Sequence, residues 1–362
     1  MHYALFYVFT AALAALMAWR AQPGEADGGA CAIENPLLGQ MPPGVARLRP
    51  EDDVVFRPEV HLALEDPVEL FNLTALGYSE REAADALSPL GFTKAFRLLS
   101  PEGVRALERV LRNLEPFTHG SERIERMIRG TVFRSSFIRD LCLDASVTAF
   151  VSRHFGVDLV PHTVPHQLGH GNFAPRQLGR TVDKWHVDNV DLDWVLFVTD
   201  LGQVKGGAFE VFLGTKTEAD EISRRGERLP RDRVVSIKPP EPGFAIMQQG
   251  HRVVHRAAPM EELADRMTLV NSYVPKDTGT FAEATKPAIL RAVDPEGVVA
   301  AEWTVHRAMR ASHQLAALLG ALEYGRETEW YLGAMRNVRD DLSLAIDWLA
   351  ATESGEEHFG DE

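Results

Sequence analysis

The chemistry this sequence can be read to do rests on five side chains. His186 and Asp188 stand two positions apart in Lys184-Trp185-His186-Val187-Asp188, and His255 follows 67 positions after Asp188 in Gly250-His251-Arg252-Val253-Val254-His255-Arg256. In an extended strand residues i and i+2 point to one face, so one imidazole and one carboxylate can meet a single cation. A sheet can bring His255 beside them. Two imidazoles and a carboxylate that leave coordination positions open suit iron(II), whereas softer metals prefer thiolates, and no cysteine is near. His251 is the local rival to His255. Arg266 comes 11 positions after His255, with Thr268 two further on, and a guanidinium fork binds a carboxylate through two hydrogen bonds while staying charged.

Short strands are expected to position these groups. Residues 194–199 and 208–212 flank the pair Gly206-Gly207, further strands fall at 233–237, 244–248 and 266–274, and 217–225 reads as an inserted helix. With no βαβ alternation and no GxGxxG, an antiparallel barrel or jelly roll is expected. Upstream, Ser79-Glu80-Arg81-Glu82 has the pattern of a capping box, and 93–99 reads as a strand. Ser100-Pro101 opens a helix with Val104, Leu107, Val110 and Leu111 on one face, and Asp144 caps another that Gly156 ends. His162, His166 and His170 recur every four residues, which on a helix would suggest a metal site. Pro161, Pro165, Gly169 and Gly171 break that helix, so these histidines read as strand or pocket-lining residues. Beyond 277 the pattern is helical, chiefly over 296–322 and 327–349, and those apolar faces must cover the barrel or a second subunit.

Together these residues resemble the Fe(II)- and 2-oxoglutarate-dependent dioxygenases, in the phytanoyl-CoA dioxygenase-like or prolyl hydroxylase-like branches. The likeness is carried by the Trp185–Asp188 run, the Gly206-Gly207 pair, His255 and Arg266-Met267-Thr268, and it spans roughly residues 92–276. It implies an α+β fold with a double-stranded β-helix (jelly-roll) core flanked by N- and C-terminal helices. It implies that His186, Asp188 and His255 hold iron, that Arg266 clamps the distal carboxylate of 2-oxoglutarate and that Thr268 assists. The family's usual separation from the arginine favours His255 over His251. Fe(II), 2-oxoglutarate and O2 would be the cofactors, with ascorbate as an optional addition. The implied reaction is hydroxylation of a C–H bond in a small molecule or a protein side chain; the carboxylate of Asp188 speaks against halogenation, while desaturation or ring closure would use the same residues. Two other classes compete: an inactive, membrane-tethered binding module, and a zinc hydrolase. The first would be expected to have lost part of the set, and the second leaves Arg266 without a purpose and lacks an HExxH glutamate.

The remaining composition bounds compartment and partners. The 362 residues, 45% hydrophobic and 25% charged, suit an ordinary globular protein, and a net charge of −14 argues against non-specific nucleic-acid binding. The arginines at 224, 225, 228, 231 and 233, with Lys238, alternate with Glu227 and Asp232 and read as a solvated loop. Cys31 and Cys142 are too few for a disulfide framework. Residues 3–19 lack charge, which suggests a membrane anchor or a signal segment over 1–22; otherwise the chain is cytoplasmic. If it is exported, Asn72-Leu73-Thr74 is a glycosylation acceptor. A proline-rich linker over 23–60, a dioxygenase domain over 61–276 and a helical extension over 277–362 complete the expected organisation. The oligomeric state is left open.

Overall fold

The computed structural model describes residues 35–178, 182–278 and 283–360. The apolar run at 3–19 and Cys31 lie outside them. Among the described residues no helix is long and apolar enough to cross a membrane.

In chain order, helix α1 (Pro58–His61) and strand β1 (Leu70–Asn72) precede α2 (Glu80–Ala84), β2 (Leu90–Thr93) and β3 (Phe96–Arg97). Helix α3 (Pro101–Leu114), β4 (Met127–Ile128) and helices α4 (Thr131–Arg134), α5 (Ser136–Cys142) and α6 (Ala145–Phe155) follow. Then come β5 (Leu159–Pro161), β6 (His170–Phe173), β7 (Asp183–His186), β8 (Leu192–Phe197) and β9 (Phe209–Phe212). Helix α7 (Lys216–Arg224) leads to β10 (Val234–Ile237), β11 (Phe244–Gln248), β12 (His255–Ala257) and β13 (Met267–Pro275). Three helices close the chain: α8 (Pro287–Val293), α9 (Glu296–Gly320) and α10 (Thr328–Ala350).

The strands form two antiparallel sheets. The larger runs β1-β2-β11-β8-β13-β6-β4, with β3 beside β11 and β5 beside β13, and the smaller runs β10-β9-β12-β7. Strand β8 is buried along its whole length, and its alternation divides two cores. Leu192, Trp194 and Leu196 pack against Leu107, Val110, Phe137 and Val151 of the helical layer. Val195 and Phe197 turn the other way and meet Phe209 and Val211 of the smaller sheet. Full burial of one such side chain is worth about 1.5–3 kcal/mol, so the helical layer fixes the sheet firmly.

Local signals act as expected at several ends. Ser79 and Glu82 close a reciprocal capping box on α2, and the Ser100 hydroxyl accepts the Gly103 N–H at the start of α3. The Asp144 carboxylate accepts N–H groups from Ser146 and Val147. Gly156 ends α6 at φ 69°, a left-handed conformation that costs glycine little. Elsewhere the expectation needs correction. The strand expected at 93–99 is split into β2 and β3: Lys94 still donates its N–H to the Glu69 carbonyl beside β1, whereas Phe96 and Arg97 pair with Ala245 and Phe244 of β11. Residues 35–57 have little regular structure, as their prolines imply, yet Leu38, Val45, Leu48 and Val54 pack on the main core.

The C-terminal helices meet the sheets through polar groups as well as apolar ones. Trp303 of α9 packs with Val164, Leu290 and Val299 and stands 5.6 Å from the Trp348 ring of α10. Glu283 bridges His306 and Arg307 of α9, and Arg307 pairs in turn with Asp341 of α10. Two of the periodic histidines belong to this layer. His166 pairs through Nδ1 with Glu302 at 2.6 Å, and His162 Nε2 lies 2.9 Å from the Thr285 hydroxyl.

Candidate metal centre

Register brings the two histidines together. His255 on β12 lies directly opposite His186 on β7, so their side chains share a face, and the ring centroids are 4.2 Å apart. Asp188 arrives differently from the strand pair expected above. Strand β7 ends at His186, and the N–H of Asp188 donates to the Gly250 carbonyl at 2.8 Å, in the turn before β12. The carboxylate still reaches both rings. Oδ1 is 3.3 Å from His186 Nε2, and Oδ2 is 3.3 Å from His255 Nε2.

Second contacts decide which nitrogens face the centre. His186 Nδ1 lies 2.6 Å from the Lys184 carbonyl, and His255 Nδ1 lies 2.9 Å from that of Val253. A carbonyl only accepts, so each Nδ1 carries the proton and each Nε2 presents a lone pair towards Asp188. Burial holds both imidazoles neutral, pushing His186 down to about 3 with Arg123 and His255 adding to it. For Asp188 burial acts to raise the pKa, but the surroundings of His255, His186 and Arg123 outweigh it and hold the carboxylate below its usual range. Two lone pairs and a carboxylate thus converge in a buried space, an arrangement that is costly without a cation. Their ligand atoms all lie within 4.8 Å of one another, and these three residues are the one group among the described residues that could hold a metal ion.

Gly250 permits this closeness. A Cβ there would stand 2.4 Å from Asp193 Oδ2 and 2.8 Å from the Asp188 Cβ. His251 points away, its Nδ1 3.2 Å from the Asp191 carbonyl, and takes no part in the cluster.

Arg266 and Thr268 lie on the inner side, where both are 2% exposed. Arg266 Nε donates to the Gly207 carbonyl at 2.8 Å. Burial lowers its pKa to about 10, so the guanidinium remains charged at neutral pH. The glycine pair is explained by this contact. Gly207 has φ 65°, and a Cβ there would stand 2.6 Å from Met260 Sδ and 3.2 Å from Arg266 Cδ. Thr268 stands opposite Phe197 on one side and Asn172 on the other.

The same register exposes further inner-face residues, of which His170 alone was expected to line a strand or pocket and the others were passed over. Asp193 lies between Gln248 and Ser272, and Val270 lies between Val195 and His170, all on the inner face. Gln248 Nε2 donates to Asp188 Oδ2 at 3.0 Å and is 3.3 Å from His255 Nε2. Burial and the nearby Asp188 charge push Asp193 well above the usual carboxylate range. Asp183 is raised to about 7, mainly by burial, and stands 3.5 Å from His186 Nδ1. Among the described residues, His170 Nε2, Asn172 Oδ1 and Gln248 Oε1 are buried without a hydrogen-bond partner. Buried polar atoms are rarely left so, and a cluster of them marks a space meant for a ligand. The available signal was alternation: in Asp191-Leu192-Asp193-Trp194-Val195 a carboxylate falls on the inward beat of an apolar run.

No known family model matches the chain. No curated protein matches it either. Among solved structures it is similar to SnoN, a non-haem alpha-ketoglutarate-dependent epimerase from nogalamycin biosynthesis, at 15% identity over 57% of this chain and 83% of that one, with a TM-score of 0.42. It is similar to SnoK, a carbocyclase of the same dependence and biosynthesis, at 16% identity over 58% and 88%, with a TM-score of 0.39. A third likeness is to EctD from S. alaskensis with 2-oxoglutarate and 5-hydroxyectoine, at 17% identity over 64% and 86%, with a TM-score of 0.37. These likenesses cover 57% to 64% of this chain and stay below a TM-score of 0.5.

Proposed function

We propose that the protein is an Fe(II)- and 2-oxoglutarate-dependent dioxygenase built on a double-stranded β-helix, which hydroxylates a C–H bond of a small-molecule or side-chain substrate. The observation that carries this reading is the convergence of two Nε2 lone pairs and the Asp188 carboxylate, with a buried guanidinium on the inner face of the adjoining sheet. Nitrogen and carboxylate donors in that ratio suit iron(II) with coordination positions left open. When bound, iron with 2-oxoglutarate and O2 supplies the oxidising power, and succinate and CO2 leave.

The chain's own residues then have distinct tasks. His186, Asp188 and His255 hold the metal, with their tautomers fixed by the Lys184 and Val253 carbonyls. Gln248 steadies Asp188 from behind. Arg266 binds the far carboxylate of the cosubstrate, already aimed by its bond to Gly207, and the Thr268 hydroxyl assists. Phe209 stacks 5.1 Å from the His255 ring and, with Val195 and Val211, keeps water from the buried side.

The test is anaerobic. Fe(II) and then 2-oxoglutarate are added to the metal-free full-length protein while the visible spectrum is followed. The native protein is expected to develop a band on adding the keto acid, His186→Ala to develop none, and Arg266→Ala to need about 10–100 times more 2-oxoglutarate, the loss of a charge-assisted pair. Iron binding with no band in the native protein would refute the cosubstrate assignment.

A further inference from the structure

A carboxylate from far along the chain stands beside Arg123, whose neighbour Asp183 lies 3.5 Å from the Nδ1 of His186. Residues 351–355 after α10 are exposed, and the tail then turns Glu356 inward until its side chain is 4% exposed. Glu356 Oε2 accepts the main-chain N–H of Arg123 at 3.0 Å, and Oε1 is 3.9 Å from the Arg123 Nε. Phe359 secures the tail. Its N–H donates to the Trp185 carbonyl at 2.7 Å, and it packs into the cluster of Trp185 and Val187. Trp185 precedes His186 on β7, the free edge of the smaller sheet, while Arg123 lies in the segment leading to β4, an edge of the larger one. The tail therefore spans the seam between the sheets beside the metal-binding residues.

Arg123 is unlike its neighbours. Arg129 is committed to Asp294 and Gln167, Arg126 to Glu115 and the Ala174 carbonyl, and Arg266 to Gly207. Arg123 Nε stands 2.9 Å from Asp183 Oδ1, yet the two are misaligned, and both atoms are buried without a hydrogen bond. Its side chain is 13% exposed and stands against Asp183, which itself lies 3.5 Å from His186 Nδ1. In a chain of net charge −14, an anionic group would need such a local cation to enter. The tail's other contacts among the described residues are weak: Lys286 and Glu357 pair while half-exposed, His358 Nε2 lies 3.9 Å from the exposed Glu122, and Gly355 donates to the Ala288 carbonyl at 3.3 Å.

We propose that Arg123 receives a carboxylate of the substrate beside the metal centre, and that Glu356 of the tail fills that place until such a substrate displaces it. This rests on the dioxygenase reading and narrows its substrate to a small molecule bearing a carboxylate. The unaligned Nε–H of Arg123 turns to the incoming carboxylate, and Phe359 leaves the β7 edge as the tail is released.

The experiment uses the metal-free full-length chain with propionate, the side-chain analogue of glutamate, and follows amide hydrogen exchange over residues 121–125 and 183–187. Glu356→Gln is expected to bind propionate about tenfold or more tightly than the native chain, because the competing carboxylate has lost its charge. Adding Arg123→Gln to that variant is expected to undo the gain. Should the Arg123 change unfold the protein by stranding Asp183, the same comparison is made with Asp183→Asn added. The proposal is overturned if Glu356→Gln binds propionate no better than the native chain, or if removing the Arg123 charge leaves binding unchanged. Cobalt(II) uptake by the same preparations separates the two readings. Cobalt binding with a negative propionate result removes this inference alone, whereas a native chain that binds no cobalt removes the metal reading and the substrate assignment with it.

Discussion

On one side of the larger sheet Leu192, Trp194, Leu196, Leu269 and Tyr273 are wholly buried against helices. On the other, Asp193, Gln248, Thr268, Asn172 and His170 crowd polar groups into a space almost as dry. The two faces belong to the same strands and differ only in which alternate residue is taken. The outer face is nearly satisfied: Trp194 finds the Tyr273 hydroxyl for its indole N–H at 2.9 Å, and Asn271 Nδ2 donates to the Cys142 carbonyl while its Oδ1 is left without a partner. The inner face leaves more open: His170, Asn172 and Gln248 each keep an unpartnered atom, as do both carboxylate oxygens of Asp193. A face that closes nearly all its contacts is built for stability, and one that leaves several open is built for something that arrives.

Mutations should separate the faces cleanly. Trp194→Ala on the outer face is expected to cost about 3–5 kcal/mol by the cavity and the lost transfer energy, measured by urea unfolding. Asp188→Asn on the inner side should change the stability of the metal-free protein by less than about 1 kcal/mol, since it removes one of several crowded buried charges. Its cobalt affinity should nevertheless fall by more than the ~10–100-fold that outer-shell groups carry. A large loss of metal-free stability in Asp188→Asn would erase the contrast between the faces.

The smallest expected effect lies in the C-terminal layer, where Glu283, His306, Arg307 and Asp341 form a linked set of ion pairs. Burial alone would raise the pKa of Glu283, but His306, His162 and Arg307 bring it from 4.5 to about 2. A carboxylate depressed on folding stabilises fully above its unfolded value and loses that contribution as pH falls through its folded value. Between pH 4.5 and about 2 the packing of α9 on residue 283 should therefore loosen, seen as faster amide exchange over 296–320. Glu283→Gln should flatten that dependence; an unchanged pH profile in this variant would assign the acid lability elsewhere.

Much of this was legible in the sequence because it is local. Caps at Ser79, Ser100 and Asp144 and the strand at 244–248 follow from short-range hydrogen bonding and alternation. The residues brought together, His186, Asp188 and His255, could be named from type and order. The manner of their meeting could not, since the place of Asp188 depends on a main-chain bond to Gly250, 62 positions away. Arg123 and Glu356 were invisible for the same reason. Neither sits in a patterned stretch, and only the closing of the seam between two sheets makes them neighbours.

Strand β13 is held by β5, β6 and β8, which come from three separate parts of the chain. Without it the larger sheet falls into three unconnected pieces, since among the described residues β8, β6 and β5 meet only through this strand. During synthesis the sheet therefore cannot close until residue 275 has left the ribosome, and the earlier strands must wait with apolar edges uncovered. Folding of this chain should be slow and late, and its vulnerable period, when chaperones or aggregation compete for it, ends when residues 267–275 slot into the gap.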